Sequence, residues 1–183
     1  EGLSEAVINV FVSLYENNLI YKGTRMVNWD TKLKSAVSDL EVTSSNELGK
    51  LWTIKYKAGD TFIEIATTRP ETLLGDTAVA VNPFDERYKE LIGQTVTIPI
   101  VNRDVEIIAD EYVDIDFGSG CVKITPAHDF NDYEIGKRHN LDLITCLDFD
   151  GNIEKKDFIP AELRGLDRFK ARERIVEMLE ENG

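Results

Sequence analysis

The stretch KITPAHDFNDYEIG, residues 123 to 136, places Lys123, Thr125, His128, Asp129 and Asp132 within ten positions, and His128 is one of only two histidines in the chain. Three chemistries are open to such a set. A metal centre would draw on His128, Asp129, Asp132 and His139. Adjacent residues at a helix start converge poorly, however, and no second His or Cys stands at metal spacing. A nucleophilic centre would pair Cys121 or Ser119 with His128. Yet GSGC lacks a strand-to-helix elbow, and a cysteine inside the strand-like CVKIT is ordinarily a small hydrophobe. The third chemistry is a pocket for a polar ligand. Alternation in CVKIT puts Cys121, Lys123 and Thr125 on one face, and that face runs into Pro126, Ala127, His128 and Asp129. An amine, a hydroxyl and two carboxylates at a strand-to-helix junction suit a small zwitterion. The plainer alternative is that Asp129 and Asp132 cap a helix while Lys123 pairs with a surface acid.

A second stretch, IATTRPETLLGDTAVAVNP (65 to 83), gathers Thr67, Thr68, Arg69, Glu71 and Thr72 around one proline. Neighbouring hydroxyls and a guanidinium suit ribose hydroxyls and a phosphate. The plainer reading is a Thr-rich strand end with Arg69 in a surface ion pair.

The elements that must position these groups can be read from periodicity. Leu3, Ala6, Val7, Val10, Phe11 and Leu14 recur at helical spacing over residues 3 to 17. Residues 18 to about 48 are mixed and polar and read as irregular. LWTIKY and TFIEIAT, separated by KAGD, read as a hairpin. AVAV is a short buried strand. Asn82-Pro83 opens a helix through FDERYKELI that Gly93 closes. TVTIPIV, VEIIA and CVKIT are further strands, and Asp129 caps a helix to about His139. DLITCLDF and NIEK flank Asp150-Gly151 as another hairpin. Asp167 caps a terminal helix with Leu166, Phe169, Ile175, Val176 and Leu179 on one face. Short strands with a few helices imply an α+β fold around a β-barrel-like core of short strands with flanking helices.

The 183 residues allow one sizeable domain with its own core. With 21 basic against 34 acidic residues, the net charge of −13 disfavours general binding to nucleic acid or anionic membrane. Nucleic-acid contact must therefore be local and helped by other parts of a larger protein. No apolar run approaches a membrane span. Cys121 and Cys146 match no C-x-x-C pattern and read as reduced thiols of a cytoplasmic protein. The chain opens on Glu, as an excised fragment would.

TTRPET (67 to 72) and GSGCVKITPAHDFNDYEIG (118 to 136) together resemble the editing domain inserted into class I aminoacyl-tRNA synthetases for valine, isoleucine and leucine. MVNWDTKLKSAVSDLEV, LGDTAVAVNP, IIADEYVD and GLDRFKAR resemble the valine branch. Ser119, Cys121 and Phe130 stand where that branch would place Thr, Ala and Pro, and no proposed functional group is lost. The resemblance implies residues 1 to 40 as a run-in from the synthetic Rossmann domain and 41 to 183 as the editing domain. Neither HIGH nor KMSKS occurs, so the fragment itself is not expected to charge tRNA.

The implied activity is hydrolysis of threonine misattached to tRNA(Val), with the tRNA 3′ end and the remainder of the synthetase as partners and no cofactor or metal. By the same resemblance Asp132 anchors the ammonium, and Lys123, Thr125 and Asp129 surround the side-chain hydroxyl. Phe117 packs on the terminal adenosine, Thr67, Thr68 and Arg69 hold its ribose and phosphate beside Thr72, and His128 orders the loop. On this reading, Lys123→Ala harms hydrolysis more than folding. The alternative is a non-catalytic module that docks the aminoacylated 3′ end.

Overall fold

The computed structural model describes residues 2–46 and 48–182. The chain runs α1 (Gly2–Glu16), β1 (Asn28–Asp30), β2 (Ser35–Val37), β3 (Trp52–Ala58), β4 (Thr61–Thr67), β5 (Ala78–Val81), β6 (Thr95–Ile98), β7 (Arg103–Ala109), β8 (Cys121–Ile124), α2 (Phe130–His139) and α3 (Arg168–Glu181). Strands β3 to β8 form a six-stranded sheet in the order β4-β3-β6-β7-β5-β8. The two end strands, β4 and β8, pack against each other and nearly close it into a barrel. This is the expected α+β architecture, a barrel-like core with flanking helices.

Alternation builds the barrel interior. In β3 and β4, Ile54, Tyr56, Ala58, Ile63 and Ile65 turn inward, and Lys55, Lys57 and Glu64 face solvent. Strand β5 is buried along its whole length because both faces are covered. It lies between parallel β7 and antiparallel β8. Val79 and Val81 enter the main core with Ile107 and Cys121. Ala78 and Ala80 face a second, smaller core with Ile108, Val113, Ile124 and Ile135. Through that second core α2 is held against β8. Gly136 lets it sit flush: a Cβ there would meet Pro126 carbons at 2.8 Å.

Four expectations need correction. Residues 28 to 37 form a short hairpin rather than irregular chain, docked where Trp29 Nε1 donates to the Phe149 carbonyl at 2.8 Å and Lys34 pairs with Asp150 at 2.7 Å. The helix expected after Asn82 is a run of turns ending in one 3-10 turn, Lys89–Leu91. There the Asn82 and Asp85 side chains accept from the backbone N–H groups of Phe84 and Arg87, which favours turns over helix. The hairpin expected around Asp150-Gly151 reduces to a single bridge, Leu147 to Ile153, because Asp148 Oδ1 accepts from Asp150 N and Asn152 N and closes the chain early. In α3 the buried residues are Ala171 and Ile175, with Met178 and Leu179 packed beside the core. Phe169 instead lies exposed under Arg168 and Arg172.

Helix α3 packs against the 3-10 turn Pro70–Gly75 that follows β4. Arg172 of α3 makes a two-point ion pair with Glu71, both contacts at 2.7 Å, and Glu71 has no exposed surface. Removing Arg172 takes both short contacts from a buried carboxylate and leaves only Arg69 Nε at 3.7 Å, a change that costs roughly 3 kcal/mol. Arg172→Met is therefore expected to lower the thermal midpoint markedly. Glu71→Gln with Arg172→Met should recover much of it. A single variant as stable as wild type would show that the clamp contributes nothing.

Candidate functional site

The 3-10 turn after β4 and the junction from β8 into α2 face each other across a cleft of about 340 Å³. Its lining includes Thr67, Thr68, Arg69, Thr72, Lys123, Thr125, His128, Asp129 and Asp132 of the two motifs, and Phe117 just before the second; Glu71 is not part of it. Leu51, Tyr112 and Asn131 also line it and carried no signal in the sequence.

Each junction residue owes its position to a local bond. Asp129 caps α2, its Oδ1 accepting from Asn131 N at 2.8 Å and Asp132 N at 3.1 Å. Asp132, though in the first turn, does not cap. Its Oδ2 reaches back to accept from Thr125 N at 2.8 Å and so pins the end of β8 to the helix. Asp132 is 9% exposed. Burial pushes its carboxyl up to about 6, against the Thr125 hydrogen bond, and the Asp129 charge adds to the rise. Among the described residues no cation pairs with it. A buried carboxylate at the wall of a cleft, lacking a counter-charge, is a place for a ligand cation.

His128 is turned away from such chemistry. Its Nε2 accepts from Cys146 N at 2.9 Å, which fixes a neutral ring. Burial, aided by the charges of Arg69 and Lys123, holds it down to about 4. Arg69 Nη1 donates to the His128 carbonyl at 2.8 Å, so the loop is tied from both sides. His139 is elsewhere, with Nε2 3.0 Å from Asp110 Oδ2. Among the described residues no three His, Cys, Asp or Glu side chains gather as a metal set. Burial pushes the Cys121 thiol up to about 11, far from a thiolate at neutral pH, and its neighbours are Tyr88, Asp85 and Arg87 rather than His128.

Lys123 lines the cleft as expected, and the plainer alternative of a surface ion pair does not hold. It is buried, and its Nζ donates to Thr72 Oγ1 at 2.8 Å, Asp76 Oδ1 at 2.9 Å and Thr125 Oγ1 at 2.5 Å. Asp76 has no exposed surface, and its Oδ2 accepts from Tyr56 OH at 2.6 Å. Burial pushes the Asp76 carboxyl up while the Lys123 ammonium and the Thr125 and Tyr56 hydroxyls oppose it. Truncating Lys123 would strand Asp76, so its loss bears on folding as well as on the cleft. The sequence reading missed Asp76 and Tyr56. The one available signal was an acid two positions before an all-apolar strand, where a carboxylate must find a partner.

The comparisons with known proteins follow the same lines. The family described as tRNA synthetases class I (I, L, M and V) matches residues 1–156. A valine–tRNA ligase of Legionella pneumophila (strain Lens) is 59% identical over 185 residues, covering 100% of this chain and 20% of that protein. The strain Paris protein of the same name is 58% identical over the same span. The chain thus spans about a fifth of the length of the curated relatives it matches. Among solved structures, the LeuRS–tRNA–LeuAMS ternary complex of Agrobacterium radiobacter K84 agnB2 matches with a TM-score of 0.56 at 23% identity, over 71% of this chain and 18% of that one. GlLeuRS-CP1 matches with a TM-score of 0.50 at 14% identity, over 66% of this chain and 81% of that one. The barrel-like fold is therefore one shared with GlLeuRS-CP1. The chain belongs to the class I tRNA synthetases of the isoleucine, leucine, methionine and valine group.

Proposed function

We propose that this chain is the editing domain of a valine-specific synthetase and hydrolyses threonine misattached to tRNA(Val). The observation that carries the reading is Asp132, a buried carboxylate without a paired cation on the wall of a cleft that also presents the hydroxyl-bearing Thr67, Thr68, Thr72 and Thr125. Every aminoacyl ester brings an ammonium that needs such a partner. Relatives named for valine support the choice of valine among the group's amino acids.

Threonine and valine are nearly isosteric, so an apolar synthetic pocket rejects threonine weakly; the handling of threonine by this kind of enzyme is the standard illustration. A second site can reverse the test by offering hydrogen-bond partners to the hydroxyl. Valine there leaves polar groups unpaired, at about 1 to 3 kcal/mol each.

In the bound ester Asp132 takes the ammonium. Thr125 and Asp129 meet the side-chain hydroxyl, with Lys123 supporting them from behind. The exposed ring of Phe117 takes the adenine, and Thr67, Thr68 and the half-exposed Arg69 hold the ribose and phosphate beside Thr72. His128 orders the loop. Water adds to the ester carbonyl, the bond to the ribose oxygen breaks, and threonine and uncharged tRNA leave. An ester is already activated, so positioning of that water, with a ribose hydroxyl assisting, can suffice without metal, cofactor or covalent intermediate.

The run-in of residues 1 to 40 would lead from the synthetic Rossmann domain, with 41 to 183 as the editing domain, in a cytoplasmic enzyme. The tRNA 3′ end and the rest of the synthetase would be its partners. With a net charge of −13, the tRNA must be delivered largely by those other parts.

Two outcomes are expected in the full-length enzyme. Asp132→Asn keeps the bond to Thr125 N but removes the charge. It should abolish most hydrolysis of threonyl-tRNA(Val) while leaving the thermal midpoint at pH 7 unchanged or slightly raised. The stability sign follows from linkage: a carboxyl whose folded pKa is raised binds its proton more readily when folded. Charging it thus opposes folding by ~3 kcal/mol above about pH 6. An active Asp132→Asn alongside a dead Asp129→Asn would exchange the two carboxylates' roles, and activity in both would reduce the pair to a helix cap outside the reaction. The second outcome is that kcat/KM for threonyl ester hydrolysis falls as pH drops through about 6. A profile flat from pH 7 to pH 5 would remove the Asp132 charge from the reaction.

A further inference from the structure

We infer that Asp76 is a positioning residue that sets the hydrogen-bond polarity of the cleft, so that the site reads a ligand hydroxyl as a donor. This rests on the proposed hydrolysis of threonyl esters and extends it to a residue that does not line the cleft.

The inference follows from donor counting. A lysine ammonium has three donors and no acceptor. Those of Lys123 are engaged by Thr72 Oγ1, Asp76 Oδ1 and Thr125 Oγ1. Each threonine hydroxyl has one donor and two acceptor positions. Thr72 donates to the Arg69 carbonyl at 3.0 Å, and Thr125 donates to Asp76 Oδ1 at 2.5 Å. Each hydroxyl has therefore committed its proton, received one from Lys123, and kept one lone pair. With Asp129 and Asp132, which as carboxylates only accept, the reading wall presents acceptors to a ligand.

Asp76 imposes this arrangement. Its Oδ1 holds Lys123 and Thr125 together, and its Oδ2 is fixed by Tyr56 OH, on the strand across the barrel. Without a charged acceptor at that point, the Thr125 hydroxyl is free to turn and offer its proton to the cleft, and Lys123 to release a donor. A threonine hydroxyl can satisfy a wall of acceptors by donating, and a valine methyl cannot. Loss of the imposed polarity should therefore erode discrimination and not merely rate.

The test measures hydrolysis of threonyl-tRNA(Val) and valyl-tRNA(Val), with thermal midpoints, in full-length wild type, Asp76→Asn, Lys123→Met, Tyr56→Phe and the double variant Asp76→Asn with Lys123→Met. Asp76→Asn should reduce the threonyl-to-valyl preference roughly tenfold or more. The double variant removes both buried charges, so the midpoint should return toward wild type while the preference stays lost. Recovery of preference together with the midpoint would make Asp76 merely structural and overturn the inference. So would an Asp76→Asn enzyme that discriminates like wild type. Should Asp76→Asn fail to fold, Tyr56→Phe, which deletes only the hydroxyl, should still narrow the preference about threefold; an unchanged preference there overturns the inference too. A wild type that hydrolyses neither ester defeats the proposed function itself, which sets that failure apart.

Discussion

A carboxylate sealed inside the barrel, Asp76, and the ammonium of Lys123 beside it are the constraint to which the rest of the site is fitted. Neither could be tolerated alone at that depth. Their pairing requires β8 to run next to β5, because Asp76 stands just before β5 and Lys123 lies within β8, opposite Val79. It also requires the 3-10 turn Pro70–Gly75 to bring Thr72 over the pair, and β3 to present Tyr56 from beneath. The cleft is the upper surface of this buried polar knot. Its side chains are fixed because the groups below them have no alternative partners.

The same economy explains why both motifs are needed. Glu71 within TTRPET faces inward and belongs to α3, not to the ligand. Arg69 ties down the loop carrying His128, and Asp132 ties β8 to α2. Glu71 thus serves the scaffold alone, whereas Arg69 and Asp132 hold the backbone in place while also lining the cleft. That division follows from burial and could not be read from residue type.

Local signals were legible in the sequence, and distant pairings were not. Alternation in CVKIT correctly placed Lys123 and Thr125 on one face, and the Asp129 cap and the strands of the barrel were equally readable. The neutral fixed state of His128 was not, since its partner is the backbone N–H of Cys146, eighteen positions away. Asp76, Tyr56 and Arg172 were missed for the same reason. Their partners are set by barrel closure, and a lone acid or arginine has no periodicity to betray it. The helix expected after Asn82 failed where short side chains competed with the backbone for its own N–H groups.

The Glu71–Arg172 clamp joins residues 101 positions apart. Its consequence is one of order in time. As the chain is synthesised, the 3-10 turn and its Thr72 emerge long before the helix that will neutralise Glu71. Until α3 is made and docks, Glu71 has only the longer contact to Arg69, at 3.7 Å, and burying so weakly paired a carboxylate is costly. The barrel strands can therefore pair early, whereas the wall carrying Thr72 settles late, as a long-range contact must. A nascent chain stopped short of residue 172 would carry most of the barrel but an unfinished cleft. Competence to bind is thereby coupled to completion of the last helix.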